Sequence, residues 1–292
     1  MSVPALRRGD TGEEILLLQS QLNKVGAMLS TDGDFGPGTE KGVLYAQDIA
    51  GQPTTGIADP PLGGWLEEQP EPYRPLHRDG IAFIAREETG GLAYYHAVTR
   101  WPHFPGHASG ITIGVGYDLR FNSEEDFRET WGDCLPAAHI DELAKDIGKP
   151  GSKSRAKELK QSGLEVPFKS AWPVFIGLTL PRYYANTESI YPSLKKLPEY
   201  CRSVLVSIVF NRGHNLSGSR RKEMRDIQKI LELAEDESLS KEEVRQTLQG
   251  VEDQILAMKR LWVPSSGLIK RRQAEANLWR KGLSTFRSPS GS

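Results

Sequence analysis

Apolar residues along this chain recur at three- and four-residue intervals in nearly every segment, which is the period of helices that bury one face. Ile15, Leu18 and Leu22 set the first such stripe, and Thr11 with Glu14 has capping-box spacing before it, so a helix is predicted over 11–25. "STDGDFGPGTE" is turn chemistry, after which Pro37 suits the first turn of a second helix over 37–49. Asp59 followed by Pro60 and Pro61 opens a short third helix that ends near Trp65 and Leu66. The next ten residues, "EEQPEPYRPL", are rich in Pro and Glu and carry no apolar period. They predict a linker over 67–76 between a small module, 1–66, and a larger domain, 77–284.

The larger domain opens on "RDGIAFIAREETGG", a helix with Ile81, Ile84 and Ala85 on one face and a glycine ending. Helical period and local caps return in "SEEDFRETW", "LPAAHIDELAKDIG", "SRAKELKQSG", "LPRYYANTESIY" and "LPEYCRSVLVSIVFNRG". They continue through "SRRKEMRDIQKILELAE", "SKEEVRQTLQGVEDQILAMKRLW" and "SSGLIKRRQAEANLWRKG". Residues 285–292 are expected to be a disordered tail. The exception to the helical period is "SGITIGVGYDL", residues 109–119, where glycines alternate with β-formers. The expected fold class is therefore mainly α, with one short β-hairpin.

In a straight strand Thr112 and Asp118 would stand roughly 20 Å apart, at about 3.3 Å per residue. Interior glycines mark a bend. A turn near Val115 and Gly116 makes a hairpin that brings Thr112 opposite or diagonal to Asp118. Gly114 and Gly116 would then leave an open surface between the two. Nucleotide binding is a poor account of these glycines, because no Lys-Ser/Thr follows them.

Composition adds mainly exclusions. Lys+Arg total 37 and Asp+Glu 38, so no overall basic excess points to nucleic acid. Residues 1–66 carry four basic and eight acidic side chains and the remainder 33 and 30, a slight basic excess in the larger domain. The two cysteines, Cys134 and Cys201, form no CxxC motif and fit buried thiols. No apolar run reaches the ~18 residues of a membrane span, and "MSVPALRRGDTGEE" has no signal-peptide core. The expectation is a soluble chain made in the cytoplasm that relies on another system to reach any substrate outside the membrane.

Glu87 and Glu88 sit where the opening helix of the larger domain stops. A carboxyl there meets the negative end of the helix dipole, and partial burial adds to the upward pressure on its pKa. Such a group can serve as general acid while an exposed Asp118 stays ionised, the division of labour used in glycoside hydrolysis. The structural alternative is a solvated helix end and a hairpin cap. "DGDFG" starts like a calcium loop, but Pro37 intrudes and Val43 stands where the bidentate Glu belongs. His103 and His107 are four apart in "HFPGH", which is not helical and offers no third ligand, so a zinc site is not expected. Trp101 and Phe104 suit either loop packing or a sugar face. Asn211 can cap its helix or meet an N-acetyl group, and Tyr117 lies within the hairpin. Arg220, Arg221, Arg271, Arg272 and Glu275 read as structural ion pairs, with contact to peptide carboxylates as the other reading.

Two resemblances bear on these residues. "LRRGDTGEEILLLQSQLNKVG", "DGDFGPGTEKGVLYAQ" and "TGIADPPLGGWL" resemble the peptidoglycan-binding module of many cell-wall hydrolases, with Ala46 where an aromatic is usual. This implies wall contact through Asp32, Phe35, Thr39 and Trp65. The helix ending in Glu, "SGITIGVGYDL", "SIVFNRGHNLSGSRRKEMRDIQ" and "GLIKRRQAEANLW" are similar to the phage-lysozyme-like muramidases, especially their pesticin-like branch. That similarity implies a lysozyme-like α+β domain with Glu88, rather than Glu87, as general acid. Asp118 would position or activate water, Thr112 would help hold it, and Gly114, Gly116, Tyr117, Trp101, Phe104 and Asn211 would line the glycan. The simpler phage enzymes place their Asp before the Thr, whereas residues 92–111 here contain no acid, leaving Asp118 alone in the role. The implied reaction is inverting hydrolysis of the β-1,4 bond between N-acetylmuramic acid and N-acetylglucosamine, without cofactor or metal. The implied settings are phage lysis or delivery by a secretion apparatus such as type VI, the latter with an immunity protein. A lytic transglycosylase and a non-catalytic wall-binding protein are the rivals.

Overall fold

The computed structural model describes residues 5–106 and 108–286, and all statements below concern those residues. The expected tail lies outside them from residue 287 onward. By internal contacts the chain divides into two compact units, Met1–Tyr73 with Ile81–Leu180 and Arg74–Gly80 with Pro181–Ser292.

The first unit begins with α1 (Glu13–Lys24), α2 (Pro37–Ile49) and α3 (Pro60–Glu68). Their apolar stripes meet in a core that includes Ile15, Leu22, Phe35, Val43, Leu62 and Leu66. Pro37 occupies the first turn of α2 and the Asp59 carboxylate caps α3 by accepting from Leu62 N. The capping box expected at Thr11 does not form. Gly12 is the N-cap of α1, at φ 118°, and Thr11 is instead committed to a β-bridge with Asp34.

Next come α4 (Arg78–Thr89), the single turn α5 (Leu92–Tyr94), strands β1 (Thr112–Ile113) and β2 (Tyr117–Asp118), α6 (Glu124–Trp131), α7 (Ala137–Ala144), α8 (Lys153–Gln161) and α9 (Phe168–Val174). Ser123 and Ser152 cap α6 and α8 with their hydroxyls. The aromatic core here runs through Tyr95, Phe168 and Trp172, with Tyr117 against Phe127 and Trp131.

The three-helix module is not held at a distance by a linker. Tyr45 of α2 packs its ring 5.7 Å from that of Phe168, Arg86 donates to Ser30, and Thr89 Oγ1 lies 3.3 Å from Met28 Sδ. A Cβ on Gly26 would lie 2.8 Å from Trp172 and 2.9 Å from Phe168, so only glycine permits this approach. The linker expected at 67–76 and the division into compact units by internal contacts are thus drawn at different places. Apolar and aromatic surface on α2 and its flanks is buried against α9, which the periodicity within either segment does not reveal.

The second unit holds α10 (Leu180–Ile190, from Pro181), α11 (Glu199–Arg212), α12 (Lys222–Leu233), α13 (Lys241–Ala257) and α14 (Gly267–Ser284). Helix α14 packs against α11 and α13, and α13 against α12. The α11–α14 approach is close, since a Cβ on Gly282 would fall 2.6 Å from Cys201 Sγ. Ser240 and Glu243 form the full capping box of α13.

An ionic cluster lies inside this unit. Glu275 is fully buried, accepts from Ser207 Oγ at 2.7 Å, and pairs with Arg272 at 2.8 Å and Arg271 at 3.3 Å. Removing the carboxylate strands two buried guanidinium groups. Glu275→Leu is expected to lower the unfolding free energy of the chain by about 3–5 kcal/mol in denaturant titrations. Glu242→Ala, at an exposed pair with Arg245, is expected to leave the denaturant midpoint near wild type.

Candidate functional site

The hairpin places Thr112 opposite Asp118 and Ile113 opposite Tyr117. A β-bridge adds His103 on the other side of Thr112, with both backbone bonds made, at 3.0 and 2.8 Å. His103, Thr112 and Asp118 therefore form one row across three antiparallel segments, and side chains in such a row share a face.

The Asp118 carboxylate fixes this row. Both its oxygens accept from Gly110 N, at 2.9 and 3.1 Å, and Oδ1 also accepts from Arg120 N at 2.9 Å. Gly110 has to be glycine, because a Cβ there would lie 2.5 Å from Asp118 Oδ1. Beside this satisfied carboxylate are two buried polar atoms without a hydrogen-bond partner among the described residues, Thr112 Oγ1 and His103 Nδ1. Burial pushes the His103 imidazole below its ordinary pKa, opposed by the nearby Trp101 backbone and by the Asp118 charge. A neutral imidazole and a free hydroxyl next to a carboxylate can hold a water or a substrate hydroxyl. Pattern reasoning overlooked His103 as a member of this row. The only available signal was its place in the acid-free segment before the hairpin.

Glu88 is half-buried at the end of α4, while Glu87 is exposed. That helix end is held by Thr89, whose hydroxyl donates to Ala85 O and whose carbonyl accepts from Thr99 Oγ1. Gly90 and Gly91 then take φ of +81° and +87°, which turns the chain out of the helix.

Several expected glycan contacts are absent from the surface. Tyr117 is 4% exposed, with its ring edge-on to Trp131 at 5.5 Å, so it belongs to the core. Gly114 does not open a groove. It turns the chain at φ +56° against Trp131 and Ala171, where a Cβ would meet the Trp131 ring at 2.9 Å. Gly116 is exposed in the turn, at φ +75°. Trp101 carries Arg100 at 4.6 Å and Lys160 at 5.6 Å from its ring, and Phe104 lies where a Cβ on Gly151 would touch it at 2.7 Å. Both aromatics are half-buried and serve the loop packing. Of the i, i+4 histidine pair, His107 lies outside the described residues. Among those residues no group of three or more His, Cys, Asp or Glu is arranged to hold a metal ion.

In the module, two of the four residues expected to touch the wall are structural. Phe35 is fully buried in the core, and Thr39 is 3% exposed and bonded to Gln19. Gln19 is the hub of this turn. Its amide nitrogen donates to Asp32 Oδ1, Asp34 O and Thr39 Oγ1, and its oxygen accepts from Asp32 N and Gly33 N. Asp32 is exposed but holds this network with its carboxylate. Trp65 is the one that faces a cavity. It is half-buried and lines a groove of about 540 Å³ with Lys24, Tyr45, Asp48, Gln69 and Trp172. Aromatic edges beside charged and amide groups, in a space of this size, suit a sugar.

Asn211 belongs to the second unit. Its Oδ1 accepts from Arg272 at 3.4 Å, and it lines a cavity there with Arg212, Arg220, Arg221 and Trp262. The expectation of structural ion pairs is met by Arg271, Arg272 and Glu275. It fails for Arg220 and Arg221, which pair with no carboxylate among the described residues.

No helix among the described residues is long and apolar enough to cross a membrane. Comparison with known proteins finds no match among curated sequences. Residues 82–167 match a family described only as a domain of unknown function, DUF8812. Residues 11–62 match the family described as "Putative peptidoglycan binding domain", so the N-terminal module is of the peptidoglycan-binding kind, which suggests association with cell wall.

Proposed function

We propose that this chain is a peptidoglycan hydrolase, a muramidase that cuts the β-1,4 bond between N-acetylmuramic acid and N-acetylglucosamine. The observation that carries the reading is the packing of a peptidoglycan-binding module into the same compact unit as Glu88 and the Thr112–Asp118 hairpin. Glu88, half-buried at a helix end, is the general acid to the glycosidic oxygen. Asp118 Oδ2 takes only the longer bond from Gly110 and keeps acceptor capacity for the attacking water, which Thr112 Oγ1 helps to orient. The resemblance to pesticin-like muramidases supports the same roles and an inverting outcome, with lysis or delivered antibacterial action as the setting. A lytic transglycosylase would need the glutamate alone.

A second reading, a non-catalytic wall binder, is favoured by the Asp118 bonds, since three backbone contacts give the carboxylate a structural task whether or not it meets substrate. Two experiments separate the readings. In a turbidity assay on purified sacculi, Glu88→Gln is expected to reduce lysis by a factor on the order of 10²–10⁴ while Glu87→Gln stays near wild type. Lysis by Glu88→Gln at the wild-type rate contradicts the proposal. Asp118→Asn puts an amide donor or a weaker acceptor against Gly110 N, so its activity is to be read beside its melting temperature, and both are expected to fall. In a sacculus pull-down at a temperature below the melting transition of the variant, Trp65→Ala is expected to weaken wall binding about tenfold, or 1.4 kcal/mol, with a lowered melting temperature because Trp65 also packs against the module core. Glu88→Gln is expected to bind as wild type.

A further inference from the structure

The second unit contains a cavity of about 580 Å³ bordered by the end of α11, the loop 213–218, the turn 219–221 and Trp262. Three arginines line it, Arg212, Arg220 and Arg221, and no carboxylate does. Arg212 is 8% exposed, and its Nε has no hydrogen-bond partner among the described residues. Burial pushes this guanidinium down to about 10, and the nearby charges of Arg221 and Arg272 push the same way. Arg221 is lowered by burial and by Arg220. Glu223, the acid in the first turn of α12, is itself buried and paired with Arg260 at 2.5 Å. The N-cap of α12 is Arg221, at the cavity, and this helix end has no side-chain cap.

A buried guanidinium such as Arg212, with the like charges of Arg220 and Arg221 at the rim beside it, is costly unless something of opposite charge completes the cluster. Guanidinium groups meet carboxylate and phosphate with paired N–H donors, and an uncapped helix N-terminus adds backbone donors for the same oxygens. Trp262 supplies an apolar wall, with the guanidinium carbons of Arg212 and Arg272 5.4 and 5.7 Å from its ring. The volume holds a group larger than a bare ion.

We propose that this cavity is an oxyanion-binding site that takes an anionic substituent of the cell-wall polymer. The choice of polymer rests on the wall-binding reading above; the oxyanion chemistry does not. Two wall substituents offer that chemistry, the carboxylates of the peptide stem and the phosphodiesters of attached polyol-phosphate chains.

The test is calorimetric titration of the full chain at low salt with four probes. These are a disaccharide-tetrapeptide muropeptide, the same compound with its carboxyls amidated, glycerol phosphate, and inorganic phosphate. The expected result is that the muropeptide or glycerol phosphate binds and that Arg220→Gln with Arg221→Gln weakens it at least tenfold. Both positions lie on the accessible rim, and a thermal melt reports whether the double variant remains folded. Should it not fold, Arg220→Gln alone, at the exposed position, is expected to weaken binding about threefold. Loss of muropeptide binding on amidation assigns the peptide stem, and binding of glycerol phosphate alone assigns the phosphodiester. Binding of no probe, or binding that the arginine substitutions leave unchanged, overturns the site. Binding only of inorganic phosphate overturns the assignment to a wall substituent. Trp65→Ala, in the other unit, is expected to leave the glycerol phosphate titration and the effect of the arginine substitutions unchanged, so failure of sacculus binding by the module and failure of this site are read separately.

Discussion

Everything near the candidate site depends on where the Asp118 carboxylate is held. By accepting from Gly110 N and Arg120 N it ties together the segment before the hairpin, the second strand and the turn that follows. Leu119 N donates to Ile111 O and extends the same seam. The result is a short row, His103–Thr112–Asp118, in which the backbone has no freedom to bring partners to Thr112 Oγ1 or His103 Nδ1. Buried polar atoms left unpaired in a rigid setting are already placed to bond an enclosed water without reorganisation. The same rigidity explains why Gly114 and Tyr117 are buried. The hairpin is anchored from beneath by Trp131 and Phe127, so only part of its surface faces outward.

The packing of the module changes what wall binding can contribute. A tethered module raises the local concentration of substrate through its linker length. A module whose Tyr45 and Gly26 are pressed against Phe168 and Trp172 instead presents its groove in a fixed orientation to α4 and the hairpin, all within one unit. The Trp65 groove includes Trp172 from α9, so the groove is built from both segments and is incomplete in the module alone.

Much of the architecture was readable from residues whose signals are local. Pro37, Asp59, Ser123, Ser152 and Ser240 mark helix starts by chemistry that acts within one turn. The glycines of 114–116 indicated a bend, and with it the Thr112–Asp118 pairing. The failures were non-local. Helix α9 buries Phe168, Ala171, Trp172 and Val174, but it is only seven residues long, too short to establish a period, and contains Pro173, a residue that argues against a helix. Thr11 has cap chemistry, but a bridge to Asp34, 23 positions later, takes it first. Phe35 and Thr39 stand at motif positions because Gln19 and the core need them, and a motif records that a residue is required without recording for what. His103 joined the site only through a bridge across the chain, which no spacing rule describes.

The account stands on hydrolysis of the glycan. Its most direct measurement is mass spectrometry of the soluble products released from purified sacculi by the wild-type chain in ¹⁸O-labelled water. Muramidase action predicts disaccharide-peptides with one labelled oxygen at the N-acetylmuramic acid reducing end. Unlabelled 1,6-anhydro products, or no released glycan at a protein concentration that saturates the wall, would contradict it.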